Sequence, residues 1–263
     1  MSRSMATTEA EAAHRLAIVR RLEAAGFRAF PASETAYDGT WSIRLTAGYP
    51  AKRLNSVNPL DPSDHSDIAA RIERAATRFR AAGRPLLFRQ SPLAPRDLAR
   101  HLDIEGWRSF GESVVMTAEL GSVPLDVRVE RLPVRDPARY VAASQAVHGR
   151  AAEDAGGLRD ILAAIEPPTA FFVQEAGRGE PIAVAFAVHD RDLVGLLDVA
   201  VARGWRRQGI ARDLVANAFR YALLKGARTA WLQVEADNAA GLALYRALGF
   251  AEAYRYSYRA PPV

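Results

Sequence analysis

The chain has 263 residues, of which 49% are hydrophobic and 25% are charged, and it contains no cysteine. This length and composition indicate a globular protein of one large or two medium-sized domains and exclude a disordered or fibrous chain. The lack of cysteine excludes a disulfide framework and thiolate catalysis. The polar N-terminus resembles neither a signal peptide nor an anchor, so we expect a soluble cytoplasmic protein with no membrane partner.

The formal net charge of +5 is compatible with a nucleic-acid binder. The basic residues are nevertheless spread along the chain and interleaved with acidic ones, which is typical of a solvated surface. We therefore expect no nucleic-acid partner. The alternative, binding of nucleic acid through the basic surface, predicts a steep dependence on salt.

The first half of the chain alternates predicted helices and strands. Helices are predicted at Leu16–Ala25, Asp67–Ala82 and Pro95–Gly106, and strands within "WSIRLTAGYPAKRLNSV", "PLLFRQ" and "VVMTAEL". Gly, Ser and Pro interrupt the pattern between Glu119 and Asp126. We place a domain boundary there, which gives domains at 1–122 and 123–263.

The second half begins with a predicted strand, Val127–Leu132, and two helices, Pro137–His148 and Gly157–Ile165. A hairpin of "AFFVQEA" and "PIAVAFAVHD", joined by the turn "GRGE", leads to the apolar strand "LVGLLDVAV". An amphipathic helix then extends from Ile210 to Gly226. It is followed by strand "TAWLQVEA", helix "NAAGLALYRAL" and the aromatic strand "AEAYRYSYRA".

The spacing Arg206-x-x-Gly209-x-Ala211 is a candidate phosphate-binding motif. The same pattern starts at Gln174, within the hairpin turn, and at Arg246, across the end of a helix. Only Gly209 lies between a strand and the first turn of a helix, where free backbone N–H groups and the helix dipole bind phosphate. Arg206, Arg207 and Arg212 would add positive charge, although the same residues also fit a solvated basic helix start.

Other site signatures are absent from the sequence. There is no G-x-G-x-x-G or Walker A pattern, no metal-type spacing among the five histidines and no G-x-S-x-G. We therefore expect no metal site.

The order strand, "ARGWRRQGIA", helix, strand, "NAAGLALYRALGF" resembles the GNAT superfamily of acetyl-CoA-dependent N-acetyltransferases over Val127–Ala260. The first half is similar to the degenerate partner domain of tandem GNAT proteins, through "RLTAGYPAKRLNSV" and the closing Gly-Trp. The resemblance implies an α/β (α+β) fold of two tandem GNAT-like domains, each with a mixed, mostly antiparallel central sheet flanked by helices.

The resemblance also implies roles for individual residues. The pantetheine arm of acetyl-CoA would pair with backbone groups of Val199, Ala200 and Val201. Its pyrophosphate would lie on the loop and helix start formed by Arg206, Arg207, Gln208, Gly209, Ile210, Ala211 and Arg212. Asn238 would contact the arm, unless it only caps a helix. Tyr245 would protonate the leaving thiolate, unless it only packs in the core.

The implied function is transfer of acetyl from acetyl-CoA to a primary amine by direct attack in a ternary complex. Many relatives carry Glu where this chain has Gln233, so no direct base is evident, and Asp198 and Glu235 are possible water-mediated substitutes. A non-catalytic acyl-CoA sensor is the alternative function. The acceptor stays open, as does the choice between monomer and homodimer.

The end of the first half parallels the end of the second when Gly106-Trp107 is laid on Gly249-Phe250. This alignment suggests a duplication and puts Leu102 opposite Tyr245. Because no phosphate motif in strand-loop-helix context precedes residue 121, the first copy is expected to bind no acetyl-CoA. Arg53 and Asn55 could line an acceptor groove, or they could have structural roles in a turn and at the end of a strand.

Overall fold

A computed structural model describes residues 2–126, 130–150 and 154–262. The helices are α1 (Ser2–Ala29), α2 (Ile68–Ala81), α3 (Arg96–Ile104), α4 (Pro137–His148), α5 (Asp154–Ala163), α6 (Ile210–Leu224) and α7 (Ala239–Ala247). The strands are β1 (Glu34–Asp38), β2 (Trp41–Leu45), β3 (Ser56–Pro59), β4 (Phe88–Gln90), β5 (Arg108–Glu119), β6 (Thr169–Ala176), β7 (Glu180–Asp190), β8 (Leu193–Val201), β9 (Thr229–Glu235) and β10 (Ala251–Ala260).

The strands form a ten-stranded sheet in the order β1-β2-β3-β4-β10-β5-β9-β8-β7-β6. Its neighbours are antiparallel except for β3 with β4 and β8 with β9, which are parallel. The predicted α/β class with a mixed, mostly antiparallel sheet flanked by helices is confirmed. The central sheets expected for the two halves are joined edge to edge into one.

The two halves exchange their last strands. β5, which ends the first half, pairs with β9 of the second, while β10, which ends the second half, pairs with β4 of the first. β5 and β10 also pair with each other, so they form the seam of the molecule. The boundary predicted after residue 122 falls at the single turn Leu120–Ser122 that follows β5, and it stays a prediction.

The helix ends that precede the exchanged strands have the same geometry. The N–H of Trp107 donates to the carbonyl of Leu102 at 2.9 Å, and the N–H of Phe250 donates to that of Tyr245 at 3.0 Å. In both copies a glycine with positive φ, Gly106 at 73° or Gly249 at 86°, makes this helix end possible. These two matching ends support the proposed duplication.

The sheet is covered on both faces, and alternate residues of each strand point to opposite sides. In the second half, one face packs against α1, α4 and α5, and the other packs against α6 and α7. A third cluster joins β2, β3 and β4 to α2 and α3 around Trp41 and Phe79. Because α1 belongs to the first half but covers strands of the second, the halves share a core.

Several elements differ from the sequence prediction. α1 begins at Ser2, far before Leu16, because its alanine-rich start continues the helix. β1 was not predicted; only one of its five residues, Ala36, packs against a hydrophobic cluster, so its apolar pattern is weak. Of the strand predicted at 127–132, residues 127–129 lie outside the described part, and residues 130–132 form no strand. Val134 instead bridges to Phe171.

The described residues were compared with the requirements of a membrane-spanning helix and of a metal site. None of their helices combines the length and apolar character needed to cross a membrane. No group of three or more His, Asp or Glu side chains gathers there in a metal-binding arrangement.

Candidate functional site

A gap opens between the ends of β8 and β9. The two strands pair in parallel from Leu193–Thr229 to Leu196–Leu232, and the described residues form no ladder pair beyond that point. β8 nevertheless remains paired with β7 as far as Val201. Residues 199–201 therefore have one backbone edge facing the gap. We call this gap, between residues 197–201 and 233–235, the cleft.

Asp198 lies where the two strands separate. It adopts a left-handed backbone with φ of 53°, and the β7–β8 register shifts between Val184–Ala200 and Phe186–Leu197. This is a β-bulge, which bends the strand away from its neighbour. A left-handed non-glycine residue costs about 1–3 kcal/mol, so surrounding contacts must hold it in place.

Those contacts come from side chains of α4 and from Arg150, just after its end. The Tyr140 hydroxyl and the Ser144 hydroxyl donate to Oδ2 of Asp198 at 2.8 and 2.7 Å, and His148 Nε2 lies 2.8 Å from Oδ1. Arg150 reaches Oδ1 at 3.5 Å. Tyr140, Ser144 and His148 are four residues apart, so they share one helix face. That spacing was present in the sequence, but nothing there identified Asp198 as its partner.

The environment of Asp198 makes it a poor base. Burial alone would raise the pKa of its carboxyl group, but hydrogen bonds and charge from His148, with hydrogen bonds from Ser144 and Tyr140, lower that pKa overall. The carboxylate is therefore ionised and already bound. This weakens the hypothesis that Asp198 accepts a proton through water. Glu235, the other candidate, is exposed at the end of β9.

The predicted phosphate loop follows directly from the open edge of β8. Arg207 has φ of 65°, and Gly209, at the N-cap of α6, has φ of 81°. A side chain at 209 would be strained in this conformation, which explains the glycine. The loop thus delivers the backbone N–H groups of Ile210, Ala211 and Arg212, in the first turn of α6, to the end of the cleft.

The basic side chains of this loop are exposed. Arg206, Arg207 and Arg212 form no ion pair with any carboxylate in the described part of the chain, and Arg206 donates through Nε to the Val201 carbonyl at 3.1 Å. This bond ties the loop back to β8. Gln208 is also exposed here, and its amide lies 3.5 Å from the Gly204 carbonyl. The loop therefore carries net positive charge beside a helix start whose first turn also contains one acidic residue, Asp213.

Asn238 caps α7, which is one of the two roles that the sequence suggested for it. Its Oδ1 accepts from the N–H of Gly241 at 2.9 Å, at the start of α7. A side chain at 241 would press on Asn238 and Val234, so the glycine keeps this cap compact. Contact with a pantetheine arm stays a prediction.

Tyr245 lies on α7 and is buried, with 7% of its surface exposed. Its ring packs 6.0 Å from that of Phe250. Burial raises the pKa of its hydroxyl to about 12, so the group keeps its proton near neutral pH. It can donate a proton but not accept one. Its catalytic role stays a prediction, since a core residue would look the same.

Gln233 is bound by residues of the exchanged and first-half elements. Its Oε1 accepts from Tyr256 at 2.9 Å and from Arg53 at 3.2 Å. Arg53 therefore contacts a residue that borders the cleft, and its role in an acceptor groove stays a prediction. Asn55 instead stabilises the preceding turn, because it bonds backbone groups of Thr46, Tyr49 and Ala51.

The chain is similar in sequence to known acetyltransferases. A family model described as "Probable histone acetyltransferase Rv0428c C-terminal" matches residues 17–259. A ribosomal protein bS18-alanine N-acetyltransferase of Escherichia coli strain K12 is 36% identical over 83 residues, which cover 32% of this chain and 55% of that protein. The match thus spans about half the length of that relative.

Solved structures share the fold at low sequence identity. A GCN5-related N-acetyltransferase from Kribbella flavida has a TM-score of 0.65 at 19% identity, covering 88% of this chain and 90% of that one. A tandem GNAT protein from the clavulanic acid biosynthesis pathway has a TM-score of 0.64 at 16% identity, covering 89% and 85%. Both matches extend over the two halves.

Proposed function

The chain belongs to the family described as probable histone acetyltransferase Rv0428c C-terminal and is a GNAT N-acetyltransferase, and we propose that it uses acetyl-CoA to acetylate a primary amine. Transfer would occur by direct attack in a ternary complex. We also propose that residues 123–263 form the catalytic domain and that residues 1–122 form a degenerate partner domain.

One observation carries this proposal: the open edge of β8 is followed, after a short loop that contains the single turn Arg203–Trp205, by the N-terminus of α6. An extended pantetheine arm can pair with the backbone of Val199, Ala200 and Val201 as a missing strand would. The pyrophosphate then lies where the loop and first turn present backbone N–H groups and exposed guanidiniums. These groups come from Arg206, Arg207, Gln208, Gly209, Ile210, Ala211 and Arg212.

Each step of the reaction is then assigned to particular residues of the cleft. The amine attacks the thioester carbonyl, the carbonyl oxygen gains negative charge that backbone N–H groups of β8 stabilise, and the C–S bond breaks. Tyr245 gives its proton to the departing thiolate, and Asn238 holds the arm while it caps α7. Gln233 cannot accept a proton, so the amine arrives neutral or loses its proton to water, and the proton that its nitrogen releases as the amide forms returns through water to the Tyr245 phenolate.

The acceptor is proposed only as a class. The E. coli relative is named for acetylating an alanine of a ribosomal protein, and the matching family is named for histones. Both names describe protein acceptors, and the name of the E. coli relative specifies acetylation at nitrogen. An amine acceptor is consistent with these names. It is also consistent with a cleft that lacks a strong base, because a neutral amine can attack without one.

The test measures free thiol released from acetyl-CoA in the presence of a panel of amines: amino acids, peptides, polyamines and aminoglycosides. We expect release above the hydrolysis background with at least one amine class. Titration of acetyl-CoA by calorimetry gives an independent readout. Binding without turnover by any amine would instead favour a non-catalytic acyl-CoA sensor.

A further inference from the structure

A small polar cavity lies beside Gln233, between α1 and strands from both halves. Its charged and polar lining consists of Glu23, Arg44, Arg53, Asn58, Arg89 and Gln233, and it has room for about one water-sized group. We call it the arginine cavity. None of these residues belongs to the phosphate loop at the start of α6.

The charges that line the arginine cavity do not balance. Three guanidiniums face one carboxylate, that of Glu23. Glu23 is already bound: both its oxygens pair with Arg89, and Oε1 also accepts from the Tyr254 hydroxyl at 2.5 Å. In the described part of the chain, Arg44 and Arg53 form no ion pair with a carboxylate. Two positive charges without a carboxylate partner thus lie close together, one on the buried Arg44 and one on the half-buried Arg53, which is unfavourable.

Arg44 shows the consequence most clearly. It is buried, with 3% of its surface exposed, and its guanidinium donates to the neutral backbone carbonyls of Phe30 and Arg53. Burial, together with the charges of Arg89 and Arg53, lowers the pKa of Arg44 to about 10. The side chain is still protonated near neutral pH, so the mutual repulsion remains.

The cavity also contains unused hydrogen-bonding groups. The donor Nε of Arg89 is buried without a hydrogen-bond partner among the described residues, and so is Oδ1 of Asn58, which is an acceptor and gives no support to an anion. Arg53 lies 5.3 Å from the centre of the Phe30 ring and donates to the amide oxygen of Gln233 at 3.2 Å, and neither partner carries a formal negative charge. A donor such as Arg89 Nε is costly to bury unpaired, so its presence points to a ligand that accepts hydrogen bonds.

We propose that the arginine cavity binds a small anion, either a halide or one oxygen of a carboxylate whose remainder lies outside the cavity. Such a group supplies the negative charge that Arg44 and Arg53 lack, and a carboxylate accepts bonds from more than one guanidinium. The anion could be free in solution, or it could be the carboxylate of the acceptor, because Gln233 also borders the cleft. The second source rests on the proposed acetyl transfer.

The first experiment measures thermal melting of the full chain without acetyl-CoA. Sodium formate and sodium chloride are compared with the sodium salt of the bulky sulfonate MES at equal ionic strength and pH. An anion that binds only the folded state raises the melting temperature, and we expect a rise of about 2 °C or more in formate or chloride. The same melting temperature in all three salts overturns the proposal.

Substitutions in the full chain locate the effect. Gln233→Glu places a carboxylate opposite Arg53, so it should raise the melting temperature in MES and remove most of the added effect of formate. Arg53→Gln should also reduce the formate effect. Arg78→Gln, which removes an exposed arginine whose nearest carboxylate is Glu34 at 3.9 Å, should keep the parental effect. An undiminished formate effect in both cavity variants places the anion elsewhere and overturns the proposal.

The second experiment separates the two sources. An α-amino acid and its amide, which lacks the carboxylate, are compared as acceptors with and without formate. If the acceptor carboxylate occupies the cavity, the amino acid has the lower KM and formate competes with it. If melting responds to anions but formate does not compete, the ligand is a free anion. Absence of any turnover would count against the proposed function, while the melting series would still decide the anion site.

Discussion

Asp67 and Gly209 occupy equivalent positions in the two halves. Each has a left-handed backbone, with φ of 47° and 81°, at the N-cap of the helix that lies between two parallel strands of its half. In the first half, however, the preceding loop "DPSDHSD" is acidic, and the side chain of Asp67 itself carries negative charge. Phosphate would be repelled there. We therefore propose that only the helix start at Gly209 binds phosphate, and we expect one acetyl-CoA per chain.

Replacing Gly209 should separate binding from stability. Gly209→Val places a side chain where the pyrophosphate is proposed to lie, so acetyl-CoA affinity should fall at least about tenfold, a loss of ~1.4 kcal/mol. The left-handed backbone should also cost about 1–2 kcal/mol of stability. Calorimetric titration and a thermal melt measure both effects.

Gly226→Val is the matched control for this change. Gly226 ends the same helix with φ of 96°, and a Cβ there would meet no atom within 4 Å. It should lose comparable stability yet bind acetyl-CoA like the parent. Equal affinity of Gly209→Val and Gly226→Val would remove the phosphate loop from the proposal.

The exchange of β5 and β10 should make the halves dependent on each other. Residues 1–122 expressed alone lack β10, which pairs with both β4 and β5, so the fragment should not unfold cooperatively. Co-expression with residues 123–263 should restore a folded complex. Circular dichroism and size-exclusion chromatography measure this, and a stably folded first fragment would contradict it.

Asp198 should stabilise the protein through its ionised form. Because its pKa is lowered in the folded state, this contribution is present above the ordinary value of 3.8 and is lost as the pH falls through the lower folded value. Asp198→Asn should cost about 3 kcal/mol at neutral pH, since it removes the charge from a buried network. The acid-side loss of stability should shrink in this variant.

Urea unfolding between pH 3 and 7 measures this contribution. The control is Asp192→Asn, which removes a half-exposed carboxylate paired with Arg21. It should cost less than about 1 kcal/mol. If both variants lose the same stability, the α4 network does not hold the bulge.

Tyr245→Phe should lower kcat and leave acetyl-CoA affinity unchanged, because it removes only the hydroxyl. General acid catalysis contributes about 10²- to 10⁴-fold, and we expect the low end because a thiolate leaves readily. Tyr221→Phe, on α6, is the control and should turn over like the parent. A Tyr245→Phe variant with parental kcat at saturating substrates would show a packing role alone.

Gly157 should be needed for contact between the halves. A Cβ at this position would overlap the backbone carbonyl of Gly48, whereas a Cβ on its neighbour Gly156 would meet no atom within 4 Å. Gly157→Ala should therefore destabilise the protein by about 1–3 kcal/mol. Gly156→Ala, in the same helix, should be neutral or stabilising by up to about 1 kcal/mol. Urea unfolding measures the free energy of unfolding of both variants. Equal destabilisation by the two substitutions would show that α5 is weakened by alanine at either position and that the overlap with Gly48 is not the cause.

The sequence by itself determined the elements whose signals are local. α4 was predicted at its observed bounds, because Asp136 caps it, proline begins it and Gly149 ends it with φ of 62°. The helix start at Gly209 was identified by its position between an apolar strand and an amphipathic helix. Backbone torsion preferences and hydrophobic periodicity act within a few residues, so one sequence contains them.

Only the tertiary structure decided how these elements form a site. Nothing near Asp198 in the sequence signals a bulge, because its left-handed backbone is held by α4 side chains about 50 residues away in the chain. The exchange of β5 and β10 depends on pairing between strands of the two halves, which lie far apart in the chain. Likewise, Gln233 meets Arg53, 180 residues away, only across the shared core. Long-range pairing of this kind depends on the three-dimensional fit of whole elements, which no local pattern encodes.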